Sequence, residues 1–174
     1  MTEQIDVRID VRRATPDDEG EVWEILDGAA AWLTGRGIHQ WPHPYPRRPV
    51  ERACADGSMR VGARGGRIVA TMQLLRADPD VWGDDPLPAL YVHSLAGRRE
   101  PGARGCGGRM LRWAVRTAAA EGLAAVRLDC WAQNRPLREY YARAGFRHVD
   151  DREVRYGEQL WRCSRFEMAV GGTG

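Results

Sequence analysis

The sequence predicts one α/β (α+β) layer fold, with a mixed, mostly antiparallel sheet of about seven strands and about four helices. Seven short runs either alternate apolar and charged residues or are largely apolar, which is typical of strands. Longer segments repeat apolar residues at helical spacing. No stretch recurs with a period of about 20 to 50 residues, which excludes repeat architectures. We therefore expect a single domain over residues 1–170 and a frayed tail at 171–174.

The first half of the chain predicts a strand, two helices and a hairpin. Thr15 and Pro16 are typical N-cap and first-turn residues, and the apolar face that follows them ends near Gly35. The pair Gly65–Gly66 separates two strand-like runs, as in a β-hairpin. In chain order, these elements are a strand at 5–13, helices at 16–35 and about 50–55, and strands at 59–64 and 67–75.

The second half alternates strands and helices after a polar loop at 78–88, which favours crossover connections. A glycine-rich loop leads into a helix that Gly122 closes, and Asn134 caps a further helix that stops at Gly145. In chain order, these elements are a strand at 89–96, a helix between Gly108 and Gly122, a strand at 124–132, a helix at 135–144, and strands at 146–154 and 160–170.

Charge and composition exclude several classes of protein. All 26 basic residues are arginine, but 24 acidic residues leave a net charge of only +2, which gives no support to nucleic-acid binding. No run approaches about 18 apolar residues, so neither a transmembrane helix nor a membrane partner is expected. The polar, acidic start of the chain is unlike a signal peptide, and we expect a cytoplasmic protein.

The cysteines and the missing lysines exclude further chemistry. Cys54, Cys106, Cys130 and Cys163 are far apart, which fits neither a zinc knuckle nor a disulfide framework, and no metal is expected. Without lysine the chain has neither a Walker lysine nor Schiff-base chemistry.

The strongest local motif is the loop Gly102-Ala-Arg-Gly-Cys-Gly-Gly, between a predicted strand and a predicted helix. Free N–H groups and the positive end of the helix dipole make such a loop a phosphate site, and Gly105 and Gly107 allow close backbone approach. Neither the Walker nor the GxGxxG spacing fits. The loop alone therefore does not name its ligand, and an ordinary glycine-rich turn is the alternative.

With its surroundings, this loop resembles that of the GNAT superfamily of acyl-CoA-dependent N-acetyltransferases. The resemblance rests on the loop followed by Met110-Leu111, on the strand around 126–131, on Asn134, and on Tyr141-Ala-Arg-Ala-Gly-Phe. It implies a GNAT-like sheet whose central parallel strands splay apart, and acetyl-CoA as the cosubstrate. Gly102 stands where the family usually has a long polar side chain, for which Arg104 is the candidate replacement.

The resemblance also implies a set of cofactor contacts. The backbone of the strand before the loop would hold the pantetheine, and the N–H of Leu95 would hold the thioester oxygen as an oxyanion hole. Asn134 would cap its helix and reach the cofactor, although capping alone is the alternative. The candidate cofactor-binding residues are Leu95, Ala96, Gly97, Ala103, Arg104, Gly105, Cys106, Gly107, Gly108 and Asn134, with Arg109 and Arg135 as further candidates near the phosphates.

Three catalytic candidates follow. Tyr141 matches the family's tyrosine that protonates the departing thiolate, and the adjacent Tyr140 is its rival. The ordinary pKa of histidine suits His93 as the base that deprotonates the amine. Asp129 is the second choice and Glu24 the third, while a water chain, with His93 a structural residue, is the alternative.

The acceptor is expected to approach across the first helices and their loop. Trp32, Gln40 and Trp41 belong to an aromatic, polar segment that either binds a cationic amine by cation–π contact or packs on itself. We expect an N-acetyltransferase that transfers acetyl by direct attack of a primary amine of a small molecule or peptide. The alternative is a non-catalytic acyl-CoA sensor or interaction protein on the same fold, and a homodimer stays an open expectation.

Overall fold

The computed structural model describes residues 8–156 and 158–171. Its seven strands form one sheet in the order β1-β2-β3-β4-β5-β7-β6. The strands are β1 (Asp10–Arg13), β2 (Met59–Arg64), β3 (Arg67–Leu75), β4 (Ala89–Gly97), β5 (Ala125–Trp131), β6 (Arg147–Tyr156) and β7 (Gln159–Ala169). The helices are α1 (Glu19–Thr34), α2 (Arg47–Ala55), α3 (Pro79–Trp82), α4 (Cys106–Ala120) and α5 (Arg135–Arg143).

The predicted mixed, mostly antiparallel sheet is confirmed. Only β4 and β5 run parallel, and their pairing covers Ala89–Val92 against Ala125–Leu128. Beyond Val92 and Leu128 the two strands no longer pair, so the centre of the sheet splays open toward their carboxyl ends. All other neighbouring strands pair antiparallel.

Helices cover both faces of the sheet. Helix α4 packs on β3, β4 and β5, where Met110 and Leu111 join an apolar core with Val126 and Leu128. Helices α1 and α2 form a second core on the other face, which includes the fully buried Leu26. The amphipathic spacing of the sequence is sufficient to place these two layers.

Two local predictions differ from the structure. The segment at 78–88, predicted as a loop, contains the single-turn helix α3, in which Pro79 occupies the first turn. Four residues are too few to show a helical period, so pattern analysis misses such a turn. The first strand, predicted from residue 5, covers Asp10–Arg13, and residues 5–7 lie outside the described residues, as do 172–174 of the predicted tail.

Within the described ranges, no helix is both long enough and apolar enough to cross a membrane.

Candidate active site

A cavity of about 1220 Å³ opens where β4 and β5 separate. Both arms of the splay line it, together with α1, the α1–α2 connection, α5 and β7. The predicted site residues that line it are Trp32, Gln40, Trp41, His93, Leu95, Ala96, Gly97, Gly107, Asp129, Asn134 and Tyr141. The remaining candidates for cofactor binding, Ala103, Arg104, Gly105, Cys106 and Gly108, lie in the adjoining loop and the first turn of α4.

Strand β4 carries a β-bulge beside the cavity. Thr71 pairs with Ala96 and Gln73 with His93, so two residues of β4, Ser94 and Leu95, lie opposite one residue of β3. Ser94 has a φ of 50°, a left-handed conformation that is uncommon outside glycine. Because a bulge re-aims the residues beyond it, Leu95 leaves the regular strand alternation at the point where the thioester is expected.

Three titratable side chains meet at the floor of the splay. His93 on β4, Asp129 on β5 and Asp78, immediately before α3, have ligand atoms that all lie within 4.8 Å of one another. His93 Nε2 is 3.1 Å from Asp78 Oδ2, and the Asp78 side chain is only 10% exposed. Imidazole and carboxylate can also bind metal ions, but here Asp78 already pairs with the imidazole, which suits a proton acceptor.

The environment shifts the pKa values of this cluster. Burial lowers the pKa of His93, but the bond from Asp78 and the charges of Asp129 and Asp78 outweigh it, so the pKa lies above its ordinary 6.5. Burial raises the pKa of Asp129 to about 6; Asp78 adds to the rise, while His93 and Arg165 oppose it. Both groups therefore exchange protons near neutral pH, which is the range a general base needs.

The glycine loop adopts the conformation its sequence suggests. Gly105 precedes α4 with a φ of 74°, in the left-handed region. A Cβ on Gly107 would lie 3.2 Å from the Tyr140 hydroxyl oxygen, so this glycine permits a close approach of α5 to the first turn of α4. At Gly102, where a long side chain is missing, Arg64 of β2 donates from Nη1 to the carbonyl oxygen at 2.6 Å.

Tyr141 lies at the inner end of the cavity. Its side chain is 5% exposed and its ring contacts Phe146 and Phe166, with centroids 6.2 and 5.7 Å away. Burial, followed by the nearby Cys130 and Asp129, raises the pKa of Tyr141 well above 10. A phenol in this setting stays protonated at neutral pH, so it can donate a proton to a stronger base such as a thiolate.

The predicted role of Asn134 as a helix cap is confirmed, and Gln40 joins it. Asn134 Oδ1 accepts from the Leu137 N–H at 3.3 Å. Gln40 Oε1 accepts from the Trp131 N–H at 2.9 Å and from Asn134 Nδ2 at 3.3 Å. Because β5 has separated from β4 at this point, the Gln40 side chain supplies the hydrogen-bond acceptor for the Trp131 N–H.

The rest of the α1–α2 connection is also pinned in place. Tyr45 donates from its N–H to Asp27 Oδ1 at 2.8 Å, accepts from Trp23 Nε1 at 2.9 Å and shares a 3.1 Å hydroxyl bond with Ser94. Trp41 packs edge-on against the Tyr45 ring, 5.6 Å between centroids. The connection therefore forms a fixed wall on the side of the cavity that faces α1.

Trp32 and Glu24, both on α1, lie differently with respect to the cavity. Trp32 lines it, and the guanidinium groups of Arg36 and Arg99 cover the indole. Glu24 is exposed, lies 3.7 Å from Arg98, and lines a smaller neighbouring cavity of about 260 Å³. Of the three candidate bases, His93 and Asp129 are the two that share the large cavity.

The four cysteines are buried and form no disulfide. Burial raises the pKa of Cys130 to about 12 and that of Cys106 above its ordinary value. Both side chains are therefore thiols at neutral pH rather than nucleophilic thiolates.

The sequence pattern does not point to three residues that the structure brings to the site: Asp78, Arg36 and Arg99. The pair Asp78-Pro79 is itself a helix-start signal, which would have predicted the turn. Nothing local indicates that the turn places Asp78 against His93, or that both arginines reach Trp32, because these contacts depend on tertiary packing.

Acyl transfer to an amine requires a donor for the carbonyl oxygen, a proton acceptor for the amine and a proton donor for the leaving group. The cavity offers candidates for all three, and the protein is an acyltransferase of the N-acetyltransferase class. Comparison with known proteins names the family: the model of the Acetyltransferase (GNAT) family matches residues 23–146, and the chain belongs to that family.

Individual relatives agree. The chain is 29% identical over 141 residues to the uncharacterized N-acetyltransferase YesJ of Bacillus subtilis, covering 76% of this chain and 78% of that protein. A GNAT-family acetyltransferase structure from Listeria monocytogenes superposes with a TM-score of 0.76 at 21% identity, over 93% of this chain and 95% of the other. The structure of yncA from Salmonella typhimurium, a putative acetyltransferase with its cofactor acetyl-CoA, gives 0.67 at 12% identity over 96% of both chains.

Proposed function

We propose that the protein transfers an acetyl group from acetyl-CoA to a primary amine of a small molecule or peptide by direct attack. The observation that carries the proposal is the meeting of His93, Leu95 and Tyr141 in one cavity between the splayed strands. These three residues supply the proton acceptor, the backbone donor and the proton donor that the reaction requires. The four buried cysteines, none in a disulfide, agree with a cytoplasmic location.

The residues around the splay fit acetyl-CoA. Beyond Val92 the edge of β4 that faces β5 has no strand partner, so the backbone of Leu95–Gly97 is available to an extended pantetheine. The glycine loop and the first turn of α4 provide N–H groups for its phosphates, and a Cβ at Gly107 would crowd that turn. When bound, acetyl-CoA supplies the acyl group as a thioester.

In the proposed step, the amine nitrogen forms a bond to the acyl carbon while the carbon–sulfur bond breaks. The proton that the ammonium loses goes to His93, and the sulfur receives a proton from Tyr141. The Leu95 N–H stabilises the charge that develops on the carbonyl oxygen, a contribution of about 3 kcal/mol for a well-placed donor.

Asp78 acts through His93 in this proposal. A bond from the Nε2–H to Asp78 holds the ring and leaves Nδ1 as the proton acceptor. Direct attack, rather than an acyl-cysteine intermediate, is supported by the burial of Cys106 and Cys130 and by the raised pKa values of their thiols.

The test is a thiol-release assay with acetyl-CoA and a panel of primary amines, with mass spectrometry of the products. We expect release that depends on the amine, a product carrying one acetyl group, and a large loss of rate in His93→Gln. Tight CoA binding without turnover of any amine would contradict the proposal and favour the acyl-CoA sensor.

A further inference from the structure

Two arginines stack on one indole at the mouth of the large cavity. The Cζ atoms of Arg99 and Arg36 lie 3.3 and 3.9 Å from the centre of the Trp32 ring. The two carbons are therefore no farther apart than these two lengths end to end, and both side chains line the cavity. Stacking on the indole fixes guanidinium groups that would otherwise be mobile.

No carboxylate neutralises this pair within residues 8–156 and 158–171. The nearest acids along the chain bind other arginines: Glu21 and Glu24 lie 3.1 and 3.7 Å from Arg98, and Glu100 lies 2.8 Å from Arg67. Burial lowers the pKa of Arg99, and the charge of Arg36 lowers it further. The two positive charges therefore repel each other, and an anion between them would relieve the repulsion.

The opposite end of the same cavity has the reverse character. There Asp129 lines the wall beside His93, with Asp78 behind the imidazole. Even with His93 protonated, two carboxylates share one cation, so this end attracts a positively charged amine. The cavity is therefore bipolar, with the reacting groups at its negative end.

We propose that Arg36 and Arg99 form a subsite for an anionic oxygen group, and that the acceptor is an amine that also carries a carboxylate or a phosphate. This inference rests on the proposed function of the same cavity. Arginine forks bind both anions through paired N–H···O bonds. A diamine or polyamine would place a second cation against two arginines, and the site disfavours it.

The spacing along β4 limits the shape of such an acceptor. Arg99 follows Leu95 by four residues, which allows at most about 13 Å of backbone between the acyl position and the subsite. A chain of several bonds between the amine and the acid spans the remaining gap better than an α-amino acid, whose two groups share one carbon.

The test compares 6-aminohexanoate with its amide and with 1,6-diaminohexane in the acetylation assay. For the wild type we expect a KM about tenfold lower for the acid than for the amide, as one charge-assisted interaction gives. Arg99→Gln and Arg36→Gln should abolish this preference and lower the KM of the diamine. Arg116→Gln, an exposed arginine on α4, is the matched control and should change neither value.

Three results would overturn the inference. One is an equal KM for acid and amide in the wild type, and another is a preference that survives both substitutions. The third is a rise in the KM of acetyl-CoA, but not of its 3′-dephospho form, with the acid–amide ratio unchanged, because the arginines would then bind a CoA phosphate.

A binding measurement separates the inference from the proposed function. Calorimetric titration of N-acetyl-6-aminohexanoate and of its amide reports on the subsite without any turnover. If no amine is acetylated, the proposed function fails, while tighter binding of the acid in the wild type but not in Arg99→Gln still supports the subsite. Equal binding of both compounds contradicts it.

Discussion

Asp78 Oδ2 lies 3.1 Å from His93 Nε2, and this contact joins the single-turn excursion between β3 and β4 to the floor of the cavity. Besides Asp78, the charged groups that act on this site are Asp129 on β5 and Arg165 on β7, while the residue that pairs with His93 on β3 is the uncharged Gln73. Asp78 thus both orients the imidazole and adds a negative charge that favours its protonated form.

Asp78→Asn should lower the pKa of His93 by about one unit, because a carboxylate that stabilises the imidazolium is replaced by a neutral amide. Since the base must be unprotonated, the acidic limb of the kcat/KM profile should move to lower pH by a similar amount. The pKa is measured directly by NMR titration of the imidazole, with His93→Gln to assign the signal. Asp80→Asn, an exposed acid two residues further on, is the control, and Asp78→Glu should restore part of the shift. An unchanged His93 pKa in Asp78→Asn would refute the role of Asp78.

Tyr141→Phe should lower kcat by about 100-fold, because the sulfur then loses its positioned proton donor. The affinity for CoA should change little, since the phenyl ring keeps its contacts with Phe146 and Phe166. Because the pKa of Tyr141 lies well above 10, its deprotonation should produce no fall in rate below pH 10. Stopped-flow or steady-state rates together with CoA calorimetry make the measurement.

Tyr140→Phe is the matched control for that experiment. It removes a hydroxyl that lies over the first turn of α4, and the reaction should keep most of its rate. A larger loss in Tyr140→Phe than in Tyr141→Phe would reverse the assignment of the proton donor.

The parts of the site that the sequence predicts are those that near neighbours along the chain determine. The glycine loop before α4 and the cap at Asn134 are of this kind, because turn and cap preferences act over a few residues. The hydrogen bond from the Trp131 N–H to Gln40 joins residues 91 positions apart. It forms only because β4 and β5 separate there, so it follows from the assembled sheet and not from any local pattern.

Gly107→Ala should weaken acetyl-CoA binding, because the new methyl group comes within 3.2 Å of the Tyr140 hydroxyl and displaces either α5 or the first turn of α4. We expect a roughly tenfold rise in the CoA dissociation constant, equal to about 1.4 kcal/mol. Calorimetry measures it, and the double variant Gly107→Ala/Tyr140→Phe should recover part of the loss. No recovery would mean that the methyl group interferes with the ligand itself.

Gln40→Ala should release the α1–α2 connection from the far arm of the splay. The variant leaves the Trp131 N–H without its acceptor, which should lower the free energy of unfolding by about 1 kcal/mol. Because Gln40 also lines the cavity, we expect a higher KM for the amine with little change in that for acetyl-CoA. Urea denaturation and steady-state kinetics measure the two effects, and His39→Ala, whose ring touches Trp131 without such a bond, is the comparison.

Asp18→Asn should destabilise the start of α1 at neutral pH. Arg12 binds both carboxylate oxygens of Asp18, at 2.6 and 2.8 Å, and the Thr15 N–H donates to Oδ2 at 2.8 Å. The bond from Arg12, despite some opposing burial, lowers the pKa of Asp18 from 3.8 to about 2. Since an ionised carboxylate at this helix start is replaced by an amide, we expect the free energy of unfolding to fall by about 1 kcal/mol at pH 7.

The pH dependence of that loss gives the decisive comparison. A carboxyl group with a lowered pKa in the folded state stabilises the protein fully above its unfolded pKa of 3.8, and loses this contribution as the pH falls toward about 2. The difference between wild type and Asp18→Asn should therefore be constant near neutral pH and shrink between pH 4 and pH 2. Urea denaturation across this range measures it, with Asp17→Asn on the exposed side of the same turn as the control. A difference that does not change with pH would assign the loss to hydrogen-bond geometry alone and not to the charge of Asp18.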